Sequence, residues 1–310
     1  MNIYNDIDHL PQFDNACITI GSFDGLHKGH LKVINQLREE AKAVNGTSIV
    51  ITFYPHPKQI VTNEKVITQL NTFEEKCKLL ENTGIENLVV IPFNKEFAEM
   101  TAENYIQDFL VKTFHPKIIV IGYDHKFGKN RTGDITLLKT FADKHQYKVK
   151  EISEHLLNEI TISSTKIREH ISIGQIETAN DLLGYVYSFS GKVVEGNKIG
   201  RSIDFPTANI EVENTEKLLP SIGVYAVSVF IPSQKEAYKG MMNIGLRPTI
   251  GGKNLTIEVH LIDFNQMIYG EEIRVFVKQK IRDEIKFEKI EHLKTQLIQD
   301  KMKAIEILNI

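Results

Sequence analysis

Apolar runs of strand length alternate with segments of helical period across residues 16–150. The runs ACITIG, SIVITFY, LVVIPF and KIIVIG are rich in β-branched residues and carry few polar side chains. Strands that are this uniformly apolar are buried on both faces, which is typical of a parallel sheet covered by helices on both sides. The segment after the first run places Ile34, Leu37 and Ala41 on one helical stripe. We therefore predict an α/β domain built from βαβ units.

A second helix of this domain has a recognisable start. Thr72 and Glu75 have the spacing of a capping box, in which each side chain accepts a hydrogen bond from the backbone N–H of the other residue. The predicted helix carries Phe73, Cys77 and Leu80. The strand LVVIPF follows it, which continues the βαβ rhythm.

The rhythm changes after Gly184, where strand-like segments follow one another with Gly, Pro and Asn between them. This pattern is typical of an antiparallel barrel or sandwich. The final segment, from Phe287 to Leu308, returns to helical spacing and predicts one amphipathic helix packed on the barrel. We place the domain boundary near Leu183 to Tyr185, which gives domains at 1–183 and 184–310.

Length and composition agree with two soluble domains. A chain of 310 residues exceeds the usual size of a single hydrophobic core. The 37 basic and 40 acidic residues give a net charge of -3, so the sequence predicts neither nucleic-acid nor membrane binding. Cys17 and Cys77 are the two cysteines, which suits a reducing compartment. We expect a cytoplasmic protein that is a monomer or weak homo-oligomer.

The segment SFDGLHKGH follows the first strand and contains His27 and His30 at the start of a helix that begins near Gly29. Ligands of open parallel sheets bind beyond the carboxyl ends of the strands, and a helix N-terminus offers N–H groups to phosphate. Imidazoles at this position are able to stabilise the charge of a reacting phosphate and its leaving pyrophosphate. Two other interpretations stay open, half of a zinc site or two surface histidines.

SFDGLHKGH resembles the His-x-Gly-His signature of the nucleotidyltransferase superfamily, and ISSTKIR, at 162–168, resembles the second signature of that superfamily. The resemblance implies a Rossmann-like nucleotidyltransferase domain with His27 and His30 as catalytic residues. It also implies a set of ATP and phosphate contacts, comprising Gly21, Phe23, Asp24, Gly29, Ser163, Ser164, Thr165 and Arg168. The hydroxyl residues of ISSTKIR also fit an ordinary helix cap.

The polar segment GYDHKFGKNRTGD follows the strand KIIVIG and predicts a loop at the same sheet edge. It resembles a loop of the bacterial FAD synthetases, which implies that Asp124, Phe127 and Arg131 bind flavin. His125 departs from that pattern, because the family commonly has Phe at this position.

The segment GKVVEGNKIGRSIDFPTANI joins a strand to a basic, Gly-rich loop and resembles the riboflavin kinase signature. Glycines allow backbone N–H groups to approach phosphates, and hydroxyl and amide oxygens suit magnesium. The implied ATP contacts are Gly196, Gly200, Arg201, Thr207 and Asn209, with Thr207 and Asn209 also holding Mg²⁺. The sequence departs from the family pattern at Asp204, where Gly is usual.

In the strand LTIEVHLI, Leu255, Ile257, Val259 and Leu261 fall on one face and Glu258 on the other. A carboxylate on this second face could serve as a general base, although a solvent-facing residue fits the same pattern. The riboflavin kinase resemblance implies that Glu258 is the catalytic base. It also implies that Asn243 and Arg282 lie on the flavin side, although Arg282 also fits a surface ion pair.

Together these motifs run from about Ala16 to Asp300 and resemble the family of bacterial bifunctional riboflavin kinase/FMN adenylyltransferases (FAD synthetases). The resemblance implies that the C-terminal domain makes FMN from riboflavin and the N-terminal domain makes FAD from FMN. It implies ATP as the second substrate, Mg²⁺ as the cofactor bound with ATP, and FMN and FAD as product or substrate of the two reactions. Two alternatives are an adenylyltransferase for pantetheine phosphate or nicotinamide mononucleotide, and a flavin-binding regulator that has lost the chemistry.

Overall fold

The computed structural model describes residues 1–62, 68–152, 162–196, 200, 203–249 and 252–309. The chain forms two compact units, Met1–Ser164 and Thr165–Ile310, and each is described by itself. The predicted boundary at residues 183–185 lies further along the chain than this division, and it stays a prediction.

The first unit contains strands and helices in alternation, as the apolar runs predict. Its strands are β1 (Asn2–Tyr4), β2 (Cys17–Ile20), β3 (Ser48–Tyr54), β4 (Asn87–Pro92), β5 (Ile118–Gly122) and β6 (Lys148–Ile152). Its α-helices are α1 (Lys28–Ala43), α2 (Pro57–Val61), α3 (Phe73–Glu81), α4 (Lys95–Ala98), α5 (Ala102–Asn104), α6 (Lys112–Phe114) and α7 (Ile135–His145). A π-helix at Tyr105–Val111 joins α5 to α6, and a 3₁₀-helix lies at Lys129–Arg131.

The described strands of this unit form one sheet in the order β1-β4-β3-β2-β5-β6, and all their pairings are parallel. Buried apolar residues form one cluster around Ile18, Ile51 and Phe109 and another around Ile34, Val50 and Leu80. Because neighbouring residues of a strand point to opposite faces, Val50 and Ile51 belong to different clusters. Both faces of the sheet are therefore covered, which confirms the predicted α/β architecture.

The capping box at the start of α3 is present as predicted. The Thr72 side chain accepts a hydrogen bond from the Glu75 N–H, and the Glu75 side chain accepts one from the Thr72 N–H. Such a cap contributes about 1 kcal/mol to the helix, because it satisfies two donors that have no partner within the helix. The next residue, Lys76, is buried, which the apolar stripe alone does not predict.

The second unit begins with helices and continues as a barrel. Its α-helices are α8 (Ser164–Ser172), which starts at the last residue of the first unit, α9 (Ile176–Leu183) and α10 (Ile290–Leu308). Its strands are β7 (Ser188–Val194), β8 (Ala208–Glu211), β9 (Gly223–Ile231), β10 (Glu236–Thr249), β11 (Gly252–Leu261) and β12 (Glu272–Arg282). Asn180 of α9 donates a hydrogen bond to the Val277 carbonyl of β12 at 3.0 Å.

The described strands of this unit form a closed antiparallel barrel in the order β10-β11-β8-β7-β12-β9. Closure decides between the barrel and the sandwich that the sequence left open, and it leaves no unpaired sheet edge. The terminal helix packs on the barrel, since Leu293, Leu297 and Ala304 belong to a cluster with Phe205 and Met241. No helix among the described residues is both long and apolar enough to cross a membrane.

An ion pair links the last strand to the terminal helix. Arg282 donates through Nε and Nη2 to the Asp300 carboxylate, with the shortest distance 2.7 Å. The Asp300 side chain is 1% exposed and the Arg282 side chain is 16% exposed. Gln296 donates a further hydrogen bond to Asp300 at 2.9 Å. Because a buried carboxylate without its cation is costly, this pair fixes where α10 meets the barrel.

We predict that Arg282→Ala destabilises the attachment of α10 by roughly 3 to 5 kcal/mol, because the Asp300 carboxylate is left buried without its cation. The double variant Arg282→Ala/Asp300→Ala should lose less than the sum of the two single variants. Hydrogen exchange of α10 amides as a function of urea measures each loss. Additive losses would show that the pair contributes nothing beyond its separate side chains.

Candidate active sites

A tight turn leads from the end of β2 into α1. Its backbone is left-handed at Phe23 (φ 48°), Gly25 (φ 82°) and Leu26 (φ 34°). The left-handed region is unfavourable for Phe and Leu, so the surrounding structure must hold these residues in it. Both side chains are buried and pack in the cluster that covers one face of the sheet. The Gly21 N–H donates to the Ile51 carbonyl at 3.0 Å, which fixes the start of the turn to β3.

The two predicted catalytic histidines lie together where this turn ends. His27 is the N-cap of α1, and its Nδ1 accepts a hydrogen bond from the His30 N–H at 3.3 Å. The two rings are stacked with centroids 3.7 Å apart, and Phe23 contacts the His30 ring edge-on. The sequence predicted this pair at a helix N-terminus, and the structure places it there.

Both imidazoles are held in the neutral form. Burial lowers the pKa of His27 to about 4. Burial also lowers the pKa of His30 well below its usual value, and the positive charge of Lys76 acts in the same direction. Because Nδ1 of neutral His27 accepts a hydrogen bond, its proton lies on Nε2. This N–H is therefore available as a donor to an anion at the helix N-terminus.

Asp24 has a structural function in the same turn. Its carboxylate accepts hydrogen bonds from the Leu70 N–H at 2.9 Å and the Asn71 N–H at 3.4 Å, and it is buried. Its carbonyl accepts one from Ser164 Oγ at 2.8 Å. These contacts attach the turn to the segment before α3 and to Ser164 at the end of the first unit. The predicted contact of Asp24 and Ser164 with ATP stays a prediction.

Lys76 is a residue of this site that the sequence analysis missed. Its ammonium donates to the Ser22 carbonyl and to Thr52 Oγ1, each at 3.2 Å, and the residue is 6% exposed. Burial lowers the pKa of Lys76 to about 8, and the charge of Asp24 partly opposes that shift. One signal was available, since Lys76 follows the capping box on the side of α3 that carries Phe73 and Leu80.

The other predicted phosphate contacts of the two nucleotidyltransferase signatures lie near the starts of α1 and α8. Gly29 is buried in the first turn of α1, and Ser163 is half-buried before α8. Thr165 and Arg168 lie in the first two turns of α8, where Arg168 Nη2 contacts Thr165 Oγ1 at 3.4 Å. Helix-capping and phosphate-binding readings of these residues both stay open.

The loop after β5 places its predicted flavin residues in two different environments. Phe127 is buried, stacks on Tyr105 with centroids 5.0 Å apart, and belongs to the core beneath the sheet. Asp124 and Arg131 are exposed on the loop. Burial lowers the pKa of His125 to about 4. An uncharged imidazole ring therefore occupies the position where the family commonly has Phe. Flavin contacts of this loop stay a prediction, and Phe127 also has a packing function.

In the barrel, three predicted site residues form one row across adjacent strands, and we call this set the barrel row. Glu258 of β11 lies directly opposite Asn209 of β8 on one side and Asn243 of β10 on the other. Directly opposed residues of antiparallel strands share a face, so the three side chains project from the same side of the sheet. Thr207 Oγ1 donates to Glu258 Oε2 at 3.2 Å. The structure therefore brings the predicted base and both predicted magnesium residues together.

Burial along β11 varies on both faces of the strand. Ile257, Val259 and Leu261 are buried and Glu258 is half-buried, as the pattern predicts. Leu255 is exposed, and so is Leu246, its partner on β10. His260 is buried although it shares the face of Glu258, since its Nδ1 lies 2.9 Å from the Pro206 carbonyl. His260 thus supports the segment that carries Thr207, a function that the sequence analysis missed.

Two glycines of the basic loop lie against the Thr207 segment. A Cβ added to Gly196 would lie 2.0 Å from the Asn209 amide nitrogen, and one added to Gly200 would lie 2.1 Å from the Phe205 carbonyl oxygen. The Phe205 N–H donates to the Gly200 carbonyl at 2.8 Å. These glycines permit a close approach of backbone, as expected for such residues. Arg201 lies outside the described residues.

Asp204, which occupies a position where the family usually has Gly, faces solvent. Its backbone is left-handed (φ 66°), a conformation that glycine adopts without strain. Its carboxylate forms an ion pair with Lys294 of α10 at 2.7 Å, and the side chain is mostly exposed. Arg282, predicted on the flavin side, directs its guanidinium to Asp300, so its contacts are those of a structural ion pair.

Oxygen atoms at and beside the barrel row fit a magnesium ion. Thr207 and Asn209 offer hydroxyl and amide oxygens, the hard ligands that Mg²⁺ prefers, and the Glu258 carboxylate lies beside them. The described part of the chain has no cluster of three or more His, Cys, Asp or Glu residues that could hold a metal. Among the described residues, no further side chain joins His27 and His30 to complete a zinc site.

Comparison with known proteins covers both units. Residues 10–166 match the family model for FAD synthetase, and residues 183–308 match the family model for riboflavin kinase. The bifunctional riboflavin kinase/FMN adenylyltransferase of Buchnera aphidicola subsp. Acyrthosiphon pisum is 36% identical, with 100% of this chain and 99% of that protein covered. The protein of the same name from Escherichia coli K12 is 34% identical, with 99% and 96% covered.

A solved structure has the same overall fold. It is described as a macrolide-efflux protein from Streptococcus pneumoniae, and it matches with a TM-score of 0.87 and 31% identity. The match covers 97% of each chain.

The lowered pKa of His27 predicts a pH-dependent stability. Between the unfolded value near 6.5 and the folded value of about 4, the unfolded chain binds more protons. The contribution is thus fully present above pH 6.5 and is lost as the pH falls towards 4, by roughly 3 kcal/mol for this shift. Hydrogen exchange of β2 and α1 amides, corrected for intrinsic rates, measures it.

His27→Asn is the matched control, because Asn is a good N-cap that does not titrate. We expect exchange protection in this variant to depend less on pH between 4 and 6.5. An identical pH dependence in the variant and the unmodified chain would contradict a buried neutral His27.

Proposed function

The chain belongs to the family of bifunctional riboflavin kinase/FMN adenylyltransferases, and we propose that its two reactions occur at the barrel row and at the His27–His30 turn. It phosphorylates riboflavin to FMN and adenylylates FMN to FAD, with ATP as the second substrate of both reactions. The observation that carries the proposal is the shared face of Asn209, Glu258 and Asn243 beside Thr207.

In the kinase reaction, the 5′-hydroxyl oxygen of riboflavin attacks the γ-phosphorus of ATP. The new O–P bond forms as the bond from the γ-phosphorus to the bridging oxygen breaks, and ADP leaves. Glu258 accepts the hydroxyl proton, a role that suits a half-buried carboxylate held by the Thr207 hydroxyl. Asn243 is the neighbour of Glu258 on β10 and is placed to orient the flavin alcohol.

Thr207 and Asn209 are the residues that would hold Mg²⁺ in this site. The ion neutralises part of the triphosphate charge when it is bound. Gly196 and Gly200 lie close to Asn209 and Phe205, and they are the glycines proposed to let backbone N–H groups approach the phosphates.

In the adenylyltransferase reaction, a phosphate oxygen of FMN attacks the α-phosphorus of ATP. The bond between the α-phosphorus and the bridging oxygen breaks, and pyrophosphate leaves. No protein nucleophile is needed, because positioning and charge stabilisation supply most of the catalysis. His27 donates a hydrogen bond from Nε2–H to phosphate oxygens, and the N-terminal N–H groups of α1 also donate hydrogen bonds to them. Ser163, Thr165 and Arg168 are the further contacts proposed for the triphosphate.

The other interpretations have less support. An adenylyltransferase for pantetheine phosphate or nicotinamide mononucleotide has no use for a second unit that carries the barrel row. A regulator without chemistry would not need the ordered contact between Thr207 and Glu258. No contact among the described residues favours macrolide efflux, the activity named for the Streptococcus pneumoniae structure. The cytoplasmic location and the oligomeric state stay predictions.

The purified protein should convert riboflavin, ATP and magnesium to FMN and then to FAD, because both sites lie in one chain. Separation of the flavins by liquid chromatography over time measures both steps. A chain that formed FMN but no FAD, even from added FMN, would contradict the adenylyltransferase half.

Damage to the two sites should be separable. Glu258→Gln preserves size and loses the base, so we expect riboflavin phosphorylation to fall by about 10² to 10⁴ while FAD synthesis from added FMN continues. His27→Asn keeps the helix cap and loses the imidazole donor, so FAD synthesis should fall by about 10² to 10³ with FMN formation unchanged. Each variant is the folding control for the other. Loss of both activities in one folded variant would show that the sites are assigned incorrectly.

A further inference from the structure

We propose that Lys76 is a positioning residue for FMN adenylylation, which holds the Ser22 carbonyl beneath the phosphate-binding turn and supplies that site with a fixed positive charge. The inference rests on the proposed function of the His27–His30 turn. Neither the two family signatures nor the mechanism above uses Lys76.

The contacts of Lys76 place it at the carboxyl ends of two central strands. Ser22 follows β2 and Thr52 lies near the end of β3, and the ammonium bonds to an oxygen of each at 3.2 Å. Thr52 Oγ1 also donates to the Ser22 carbonyl at 3.3 Å. The three groups form a closed triangle beneath the turn.

This triangle controls the direction of the turn. Ser22 is the residue immediately before the strained Phe23, so fixing its carbonyl fixes the peptide that enters the left-handed segment. The carbonyl points towards buried partners, since Thr52 is 0% exposed. A carbonyl oxygen directed at the ligand would repel phosphate, whereas this arrangement leaves the helix N–H groups to meet it.

Within the part of the chain that the structure describes, Lys76 forms no direct ion pair, and its ammonium donates to the neutral oxygens of Ser22 and Thr52. The titratable groups that act on it are Asp24 and Cys77, and it in turn lowers the pKa of His30. The Asp24 carboxylate accepts hydrogen bonds from the Leu70 and Asn71 N–H groups. A buried cation in these surroundings favours a bound polyanion, because a low dielectric screens it weakly. The arriving triphosphate supplies the missing negative charge.

Charge and hydrogen bonding are tested separately. Lys76→Gln keeps a donor for the Ser22 carbonyl but loses the charge, and Lys76→Arg keeps the charge. Lys78→Gln is the matched control, because Lys78 is an exposed lysine on the same helix. We expect Lys76→Gln to lower kcat/KM for ATP in FAD synthesis by about 10- to 100-fold, and Lys78→Gln to change it less than about threefold. FMN formation from riboflavin, measured in the same samples, should be unchanged.

The pH profile distinguishes a charge effect from a packing effect. Because the pKa of Lys76 is about 8, kcat/KM for ATP in the unmodified protein should fall as the pH rises through about 8. The fall should move above pH 10 in Lys76→Arg, since Arg stays charged there. Thr52→Val removes one hydrogen-bond acceptor of the Lys76 ammonium, which lowers the pKa of Lys76 further. In this variant, kcat/KM for ATP should therefore begin to fall at a lower pH. This last comparison does not depend on the folding of any Lys76 variant.

Three results would overturn the proposal. The first is Lys76→Gln with kcat/KM within threefold of the unmodified protein at pH 7. The second is a fall near pH 8 that persists in Lys76→Arg, and the third is a pH profile that Thr52→Val leaves unmoved. If the unmodified protein formed no FAD, the proposed function itself would fail, and the two failures are therefore distinguishable.

Discussion

The first N–H groups of α1 have no partner within the helix, and the first unit is arranged around that constraint. His27 satisfies one of them through Nδ1, which leaves its own proton on Nε2. The turn before the helix must therefore bring a histidine to the N-cap, and it does so through left-handed backbone at Phe23 and Leu26. Burial of those two side chains in the core holds the strained conformation. In this region, the packing of the core thus also determines the position of His27.

Buried charged groups have assigned polar partners in both units. The Asp24 carboxylate accepts backbone N–H groups, and Lys76 donates to a carbonyl and a hydroxyl. In the second unit, Arg282 and Asp300 satisfy each other between β12 and α10. Unpaired charges in these positions would destabilise the fold, so the partners are part of the architecture. The difference between the units is functional, because Arg282 and Asp300 neutralise each other whereas Lys76 bonds to neutral oxygens.

The barrel site depends on register more than on any single contact. Antiparallel pairing places Asn209, Glu258 and Asn243 opposite one another, and a slip of one residue would turn Glu258 to the other face. Gly196 lies close to Asn209, and Gly200 lies close to Phe205. Asp204 occupies a left-handed position at the edge of the loop and pairs with Lys294, so its charge faces solvent.

The sequence by itself determined the fold class, the capping box at Thr72 and the position of His27 and His30 at a helix start, because local periodicity and capping chemistry act over a few residues. It also determined the family, since the motifs carry their own order and spacing. Tertiary structure alone decided that Lys76 lies under the turn, that Phe127 is a core residue and that Arg282 pairs with Asp300. It likewise decided barrel over sandwich and buried His260. Each of these depends on which distant segments meet, and that information is not contained in the pattern of any one segment.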